Sequence, residues 1–243
     1  MTAPSPQHPG TKNWISIMLL GMIWGGAFLA SKIALDGFGP WWVAAGRVSM
    51  AALALTVLGA VMGQGMQRIS GRRSWLFILA FGMVAVAGAL ALLAWGQQHV
   101  ISAFAGISMG AIPLLVLPLV YVFSKEEGLG PRRIAGFCLG FIGLLVLIGP
   151  GAFASSGADL EFWGRLACVG CACLYAIGSI ITRRSPAMPP LAFAAATMWV
   201  GVMILVPLAF WFEGMPGSLL NRPGYALMYA AFGPTAIGAI MRV

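Results

Sequence analysis

From Trp14 to Arg242 the chain alternates between long apolar runs and short polar gaps. Eight runs can be delimited, near residues 14–35, 41–62, 75–97, 101–123, 133–150, 163–182, 190–212 and 224–241, each about 18 to 24 residues long. An α-helix needs roughly 20 residues to cross about 30 Å of hydrocarbon. Backbone N–H and C=O groups in lipid have no water to bond, which favours helices that satisfy them internally. The pattern therefore predicts an all-α fold, a polytopic membrane bundle of about eight transmembrane helices. Only Gln97, Gln98 and His99 separate the third run from the fourth.

The gaps hold nearly all the charge. Sixty per cent of residues are apolar and 8% charged, against about 25% charged in an average soluble domain. A net charge of +8 on a folded surface would suggest a nucleic-acid partner. Here the charges are divided among loops, which points to orientation instead and to no nucleic acid. Lys12, Arg68, Arg72, Arg73, Lys125, Arg132, Arg133, Arg183, Arg184 and Arg242 fall on one side. Lys32, Arg47, Arg165 and Arg222 fall on the other. That bias predicts a cytoplasmic N-terminus, with residues 1–13 as a short disordered tail. The first run is too long for the apolar stretch of a signal peptide.

Sliding the chain against itself by 151 residues brings Trp24 onto Tyr175, Ser31 onto Thr182 and Lys32 onto Arg183. Trp42 falls on Phe193 and Phe81–Gly82 on Phe232–Gly233. A repeat period of five spans turns the second copy upside down, the inverted design of many secondary transporters. The second copy stops at Val243, so residues 93–150 have no counterparts in it. The expectation is an inverted repeat of five-helix units with the second unit incomplete, and a fragment of a ten-helix protein rather than an eight-helix one.

Polar and aromatic groups inside spans are the candidates for function. Arg47 lies about 9 Å inside the second span and Lys32 near the end of the first; together they suit an anion-attracting vestibule, or a snorkelling brace. Trp24 and its repeat mate Tyr175 sit mid-span, too deep for an interfacial belt. Trp95 and His99 stand where a kinked helix would face water. A substrate cavity walled by the first, third, fourth, sixth and eighth spans is expected to include Trp24, Lys32, Arg47, Trp95, His99 and Tyr175. Gly136, Gly140 and Gly143 read as a tight helix-packing face, and Pro113 and Pro118 as kinks.

Catalysis and cofactors are not expected. Gly106-Ile107-Ser108-Met109-Gly110 matches G-x-S-x-G, but Ser108 lies in an apolar helix rather than a strand–turn–helix elbow. His99 is about 13 Å away along a straight helix, too far to act as its base. Cys168, Cys171 and Cys173 cannot share one helix face, and no histidine or carboxylate lies near them. They read as small packing residues, with no metal.

Trp24-Gly25-Gly26-Ala27-Phe28 with Lys32, Pro40 and Arg47 resembles the opening of the EamA-like drug/metabolite transporters. Ala103 to Pro113, followed by Lys125-Glu126-Glu127 and Gly136, Gly140 and Gly143, resembles the end of that family's first repeat. Tyr225 to Val243, with Phe232-Gly233-Pro234, resembles its eighth span. The resemblance implies a first five-helix repeat over 14–150 and an incomplete second one, of three helices, over 161–243. It also implies a secondary transporter of small metabolites, working by alternating access between the two repeats. Amino acids, organic acids and lipophilic compounds all remain open as substrates. A non-transporting eight-helix scaffold or assembly subunit is the alternative. The expected partners are a small-molecule substrate and the lipid bilayer of the cell inner membrane, with a homodimer as one further option.

Overall fold

The computed structural model describes residues 11–116, 130–148 and 155–238. The described residues are helical or in short connections, with no strands among them. Helix α1 spans Thr11–Ala34 and α2 Pro40–Val61. Helix α3 runs Arg72–His99 and contains a π-helical stretch at Gly82–Gly88. Helix α4 (Ser102–Gly110) continues after a break at Ala111 towards Val116. Helix α5 is Pro131–Ile148, α6 Glu161–Arg184 and α7 Pro190–Glu213. Helix α8 (Arg222–Ala230) passes directly into a second π-helical stretch, Ala231–Ile237. Four of these, α2, α3, α6 and α7, are long and apolar enough to cross a membrane by themselves, and apolar stretches of α1, α4 and α5 are shorter. Together they form the polytopic helical bundle that the apolar runs predict.

Local chemistry sets the helix starts. Pro40 and Pro190 open α2 and α7 in the first turn, where a missing N–H costs nothing and φ is already helical. Asn221 caps α8, its Oδ1 accepting from the Gly224 N–H at 2.8 Å. Gly39 gives α2 no side-chain cap. Glu213 supplies one from the far end of α7, its two carboxylate oxygens accepting from the Trp41 and Trp42 N–H groups, each at 2.9 Å. Trp42 Nε1 donates to the Gly214 carbonyl at 2.9 Å. Trp41 stacks on Phe212 and Trp42 meets Phe210 edge-on. These contacts fasten α2 to α7 at one end of the bundle.

The two helices also make the centre of the core. Ala44, Ala51 and Ala52 of α2 and Ala194, Ala195 and Ala209 of α7 are almost wholly buried. Small side chains bring backbones close, the packing available to helices that lipid does not force together. Helix α1 packs on α8, and α3 on α6. Gly96 and Gly164 form the α3–α6 contact: a Cβ at Gly96 would lie 2.8 Å from the Gly164 carbonyl, and one at Gly164 2.7 Å from His99 Cβ.

The pairs α1–α8, α2–α7 and α3–α6 are symmetric under exchange of the two halves of the chain. In the 151-residue register, the ends of α1 and α2 fall within one residue of those of α6 and α7. The two π-helical stretches fall within two residues of each other. One expectation fails. Nothing lies within 4 Å of a Cβ built at Gly136, Gly140 or Gly143, so among the described residues this face of α5 packs against no other helix. Pro118, Lys125, Glu126, Glu127 and Arg242 lie outside the described residues.

Candidate functional site

The symmetric pairing leaves a cavity of about 730 Å³ between the halves. It runs from the middle of the bundle to the α6–α7 loop, where Arg183, Ser185, Pro186 and Met188 line it. Phe81, Ala85 and Leu90 of α3 and Phe193, Thr197 and Met198 of α7 contribute to its walls. Met109, Ile112 and Pro113 of α4 lie on another side. Both π-helical stretches border it, through Ala85 and Val86 and through Pro234 and Thr235. Such stretches concentrate at functional sites because the widened turn frees backbone carbonyls. Trp24 Nε1 takes one of these, donating to the Pro234 carbonyl at 3.2 Å.

Arg47 lies at mid-bundle and lines the cavity while only 7% of it is exposed. Its Nε and Nη2 both donate to Thr235 Oγ1, at 3.2 and 3.1 Å, and its Nη1 donates to Ser31 Oγ at 3.1 Å. Thr235 in turn donates to the Ala230 carbonyl at 2.7 Å. Both partners of the guanidinium are therefore neutral hydroxyls. Among the described residues no carboxylate lies within ion-pairing distance of it; Glu161 pairs with Arg165 on α6 instead. Further along the cavity, Ser179, Thr182 and Thr197 each donate back to a carbonyl of their own helix. Each hydroxyl has one hydrogen to give, so these oxygens keep acceptor capacity.

Of the residues singled out in the sequence, the structure brings Trp24, Arg47 and Tyr175 to this cavity. Lys32, Trp95 and His99 are not part of its lining. The reason is depth. Trp95 lies five residues beyond Leu90 and Lys32 eight beyond Trp24, about 7 and 12 Å further along their helices. Lys32 Nζ instead donates to the Gln97, Gln98 and Val100 carbonyls at 2.6, 3.3 and 3.0 Å, closing the end of α3. Gln97 returns the link, its Nε2 donating to the Phe28 carbonyl at 3.1 Å. Trp95 meets His99 edge-on, and the His99 carbonyl accepts from Ser156 Oγ at 2.5 Å. Lys32 thus acts here as a cap on the end of a neighbouring helix. The cavity also takes in α2 and α7 besides the five helices expected around it.

Sequence reasoning missed Thr235, Phe81, Phe193 and Thr197 as lining residues. Phe81 and Phe193 each carried a repeat match, which was a usable signal. Thr197 and Thr235 are lone hydroxyls in apolar runs, where the usual reading is a bond to the helix backbone. Ser108 makes that bond, donating to the Phe104 carbonyl at 3.0 Å. Cys168 and Cys171 are buried in a cluster with Leu93, Val100 and Ala105.

Residues 12–149, more than half of the chain, match the EamA-like transporter family. The chain belongs to that family. A probable terminal-alkyne amino-acid exporter from Streptantibioticus cattleyicolor is 26% identical over 228 residues, covering 93% of this chain and 73% of that protein. The uncharacterized transporter YdeK of Bacillus subtilis is 24% identical over 243 residues, covering 95% and 78%. A WAT1-related chloroplastic protein of Arabidopsis thaliana is 30% identical over 152 residues, 63% of this chain, which spans 36% of that protein's length. A crystal structure of a protein with 21% identity has the same fold, with a TM-score of 0.68 over 91% of this chain and 76% of its own. As a member of the EamA-like transporter family the chain is a multi-pass membrane protein.

Proposed function

We propose that this chain works as a secondary transporter, moving small metabolites by alternating access between two inverted repeats. One observation carries the reading: the cavity is one-sided. It reaches the α6–α7 loop, whereas the opposite end is tied by Lys32 to the end of α3 and by Glu213 to the start of α2. The charge bias assigns the α6–α7 loop, with Arg183 and Arg184, to the cytoplasm of a cell inner membrane. The cavity then faces inwards in this state. The nested pairing of helices gives the opposite state a natural route, because exchanging the roles of the two halves exchanges the open and closed ends. The exporter from Streptantibioticus cattleyicolor supports amino acids as one class of cargo; organic acids and lipophilic compounds fit the same apolar walls.

Flux in proteoliposomes tests the transport reading. Vesicles preloaded with a mixture of amino acids and organic acids should exchange at least one of them faster than protein-free vesicles. No exchange of any compound leaves a non-transporting membrane scaffold. Orientation is checked separately with cysteines at the exposed Ser70 and Ser156, in a background lacking native cysteines. An impermeant thiol reagent outside intact cells should label Ser156→Cys and spare Ser70→Cys. The reverse pattern overturns the inward-facing assignment.

A further inference from the structure

Arg47 carries a charge that no carboxylate among the described residues balances. The side chain is 93% buried, and its three bonded nitrogens reach only Ser31 and Thr235. Burying a cation without a counter-ion is unfavourable, and two hydroxyl dipoles offset only part of that. A guanidinium has five N–H donors in a planar fork suited to two carboxylate oxygens. Two of them have no hydrogen-bond partner among the described residues, and the residue lines the cavity. A plain brace between α1, α2 and α8 explains the bonds to Ser31 and Thr235 but not the choice of a permanent charge. Neutral hydroxyl partners by themselves do not call for a cation.

We propose that Arg47 is the specificity-determining residue of the cavity, reading the carboxylate of the transported molecule. This rests on the transport reading above. The carboxylate takes the open side of the fork, and the remainder of the molecule lies along the apolar walls towards Phe81 and Phe193. A volume of about 730 Å³ accommodates a small acid with an aromatic or branched aliphatic body. Ser179, Thr182 and Thr197 offer acceptors to an ammonium group, so amino acids and simple carboxylic acids share the anchor and differ only there.

The test measures ligand-induced thermal stabilisation in detergent, and exchange in proteoliposomes, with phenylalanine, 3-phenylpropionate, phenylalaninamide and phenethylamine as probes. In the wild type the two carboxylates should stabilise and exchange; the amide and the amine should do so at least about 10-fold less well, the value of one charged hydrogen-bonded contact. Arg47→Gln should erase that preference, and Arg47→Lys should keep the sign of the preference but weaken it. Where Arg47→Gln fails to fold, Thr235→Val, which keeps the charge and removes one hydroxyl, should preserve the preference for carboxylates. Phenylalanine alone responding assigns the cargo to amino acids; 3-phenylpropionate responding equally assigns it to carboxylic acids in general. Stabilisation without exchange keeps the Arg47 assignment and removes transport. Exchange of amide and amine as readily as of the acids overturns the Arg47 assignment and leaves transport standing. Neither stabilisation nor exchange with any probe overturns both.

Discussion

Replacing Lys32 by methionine should open the end of the bundle opposite the cavity. Its ammonium group donates to three carbonyls at the close of α3, and methionine keeps the length of the side chain but gives none of those bonds. Losing charged hydrogen bonds to helix-end carbonyls costs on the order of 2 kcal/mol, enough to raise the share of an opened form by about 10-fold or more. A cysteine at Phe38, buried at that end, in a background free of native cysteines reports the change. Its reaction with an impermeant thiol reagent should be about 10-fold faster in Lys32→Met than with Lys32 present. Equal rates remove the closing role of this side chain.

The second large effect is expected at Gly82, the first residue of the π-helical stretch in α3. A Cβ there would lie 2.6 Å from Val200 Cβ and 3.0 Å from the Thr197 carbonyl. A leucine cannot be accommodated without parting α3 from α7, and overpacking of this kind costs about 3 kcal/mol or more. Gly82→Leu should abolish the sharp monodisperse peak in detergent size-exclusion chromatography and flux with it. Adding Val200→Gly removes the opposing atom and should restore part of the folded fraction. A single Gly82→Leu variant as stable as the parent would show that α3 and α7 are loosely joined at this level.

The spans were legible because lipid imposes a length. The run read as 190–212 is α7, which ends one residue later, and that read as 41–62 is α2, displaced by one residue. Internal symmetry was legible through single matches such as Trp24 with Tyr175, both of which border the cavity. The direction in which each residue faces was not legible. In a soluble helix the polar face marks the outside, but here lipid and core are both apolar and leave no stripe to read. Ala209 is buried while Trp211 and Phe212, two and three positions on, are largely exposed, although the sequence offers no contrast that says so. Depth was equally silent for Lys32 and His99. A basic residue near a span end serves as readily for capping a neighbour's carbonyls as for lining a vestibule, and the two uses differ only in where another helix stops. The π-helical stretches had no signature beyond the glycines and the proline within them.

The clasp between α2 and α7 also sets an order of assembly. Its partners are 171 and 172 residues apart in the chain, so α2 enters the bilayer long before the carboxylate that caps it exists. At 5–20 residues per second, that interval is roughly 10 to 30 s of synthesis. Helix α1 waits longer still for α8. The earliest helices made therefore meet their most extensive partners, α7 and α8, only late in synthesis. Until then the small-residue faces of α2 must be held by lipid or by the insertion machinery, and the centre of the protein is the part that closes at the end.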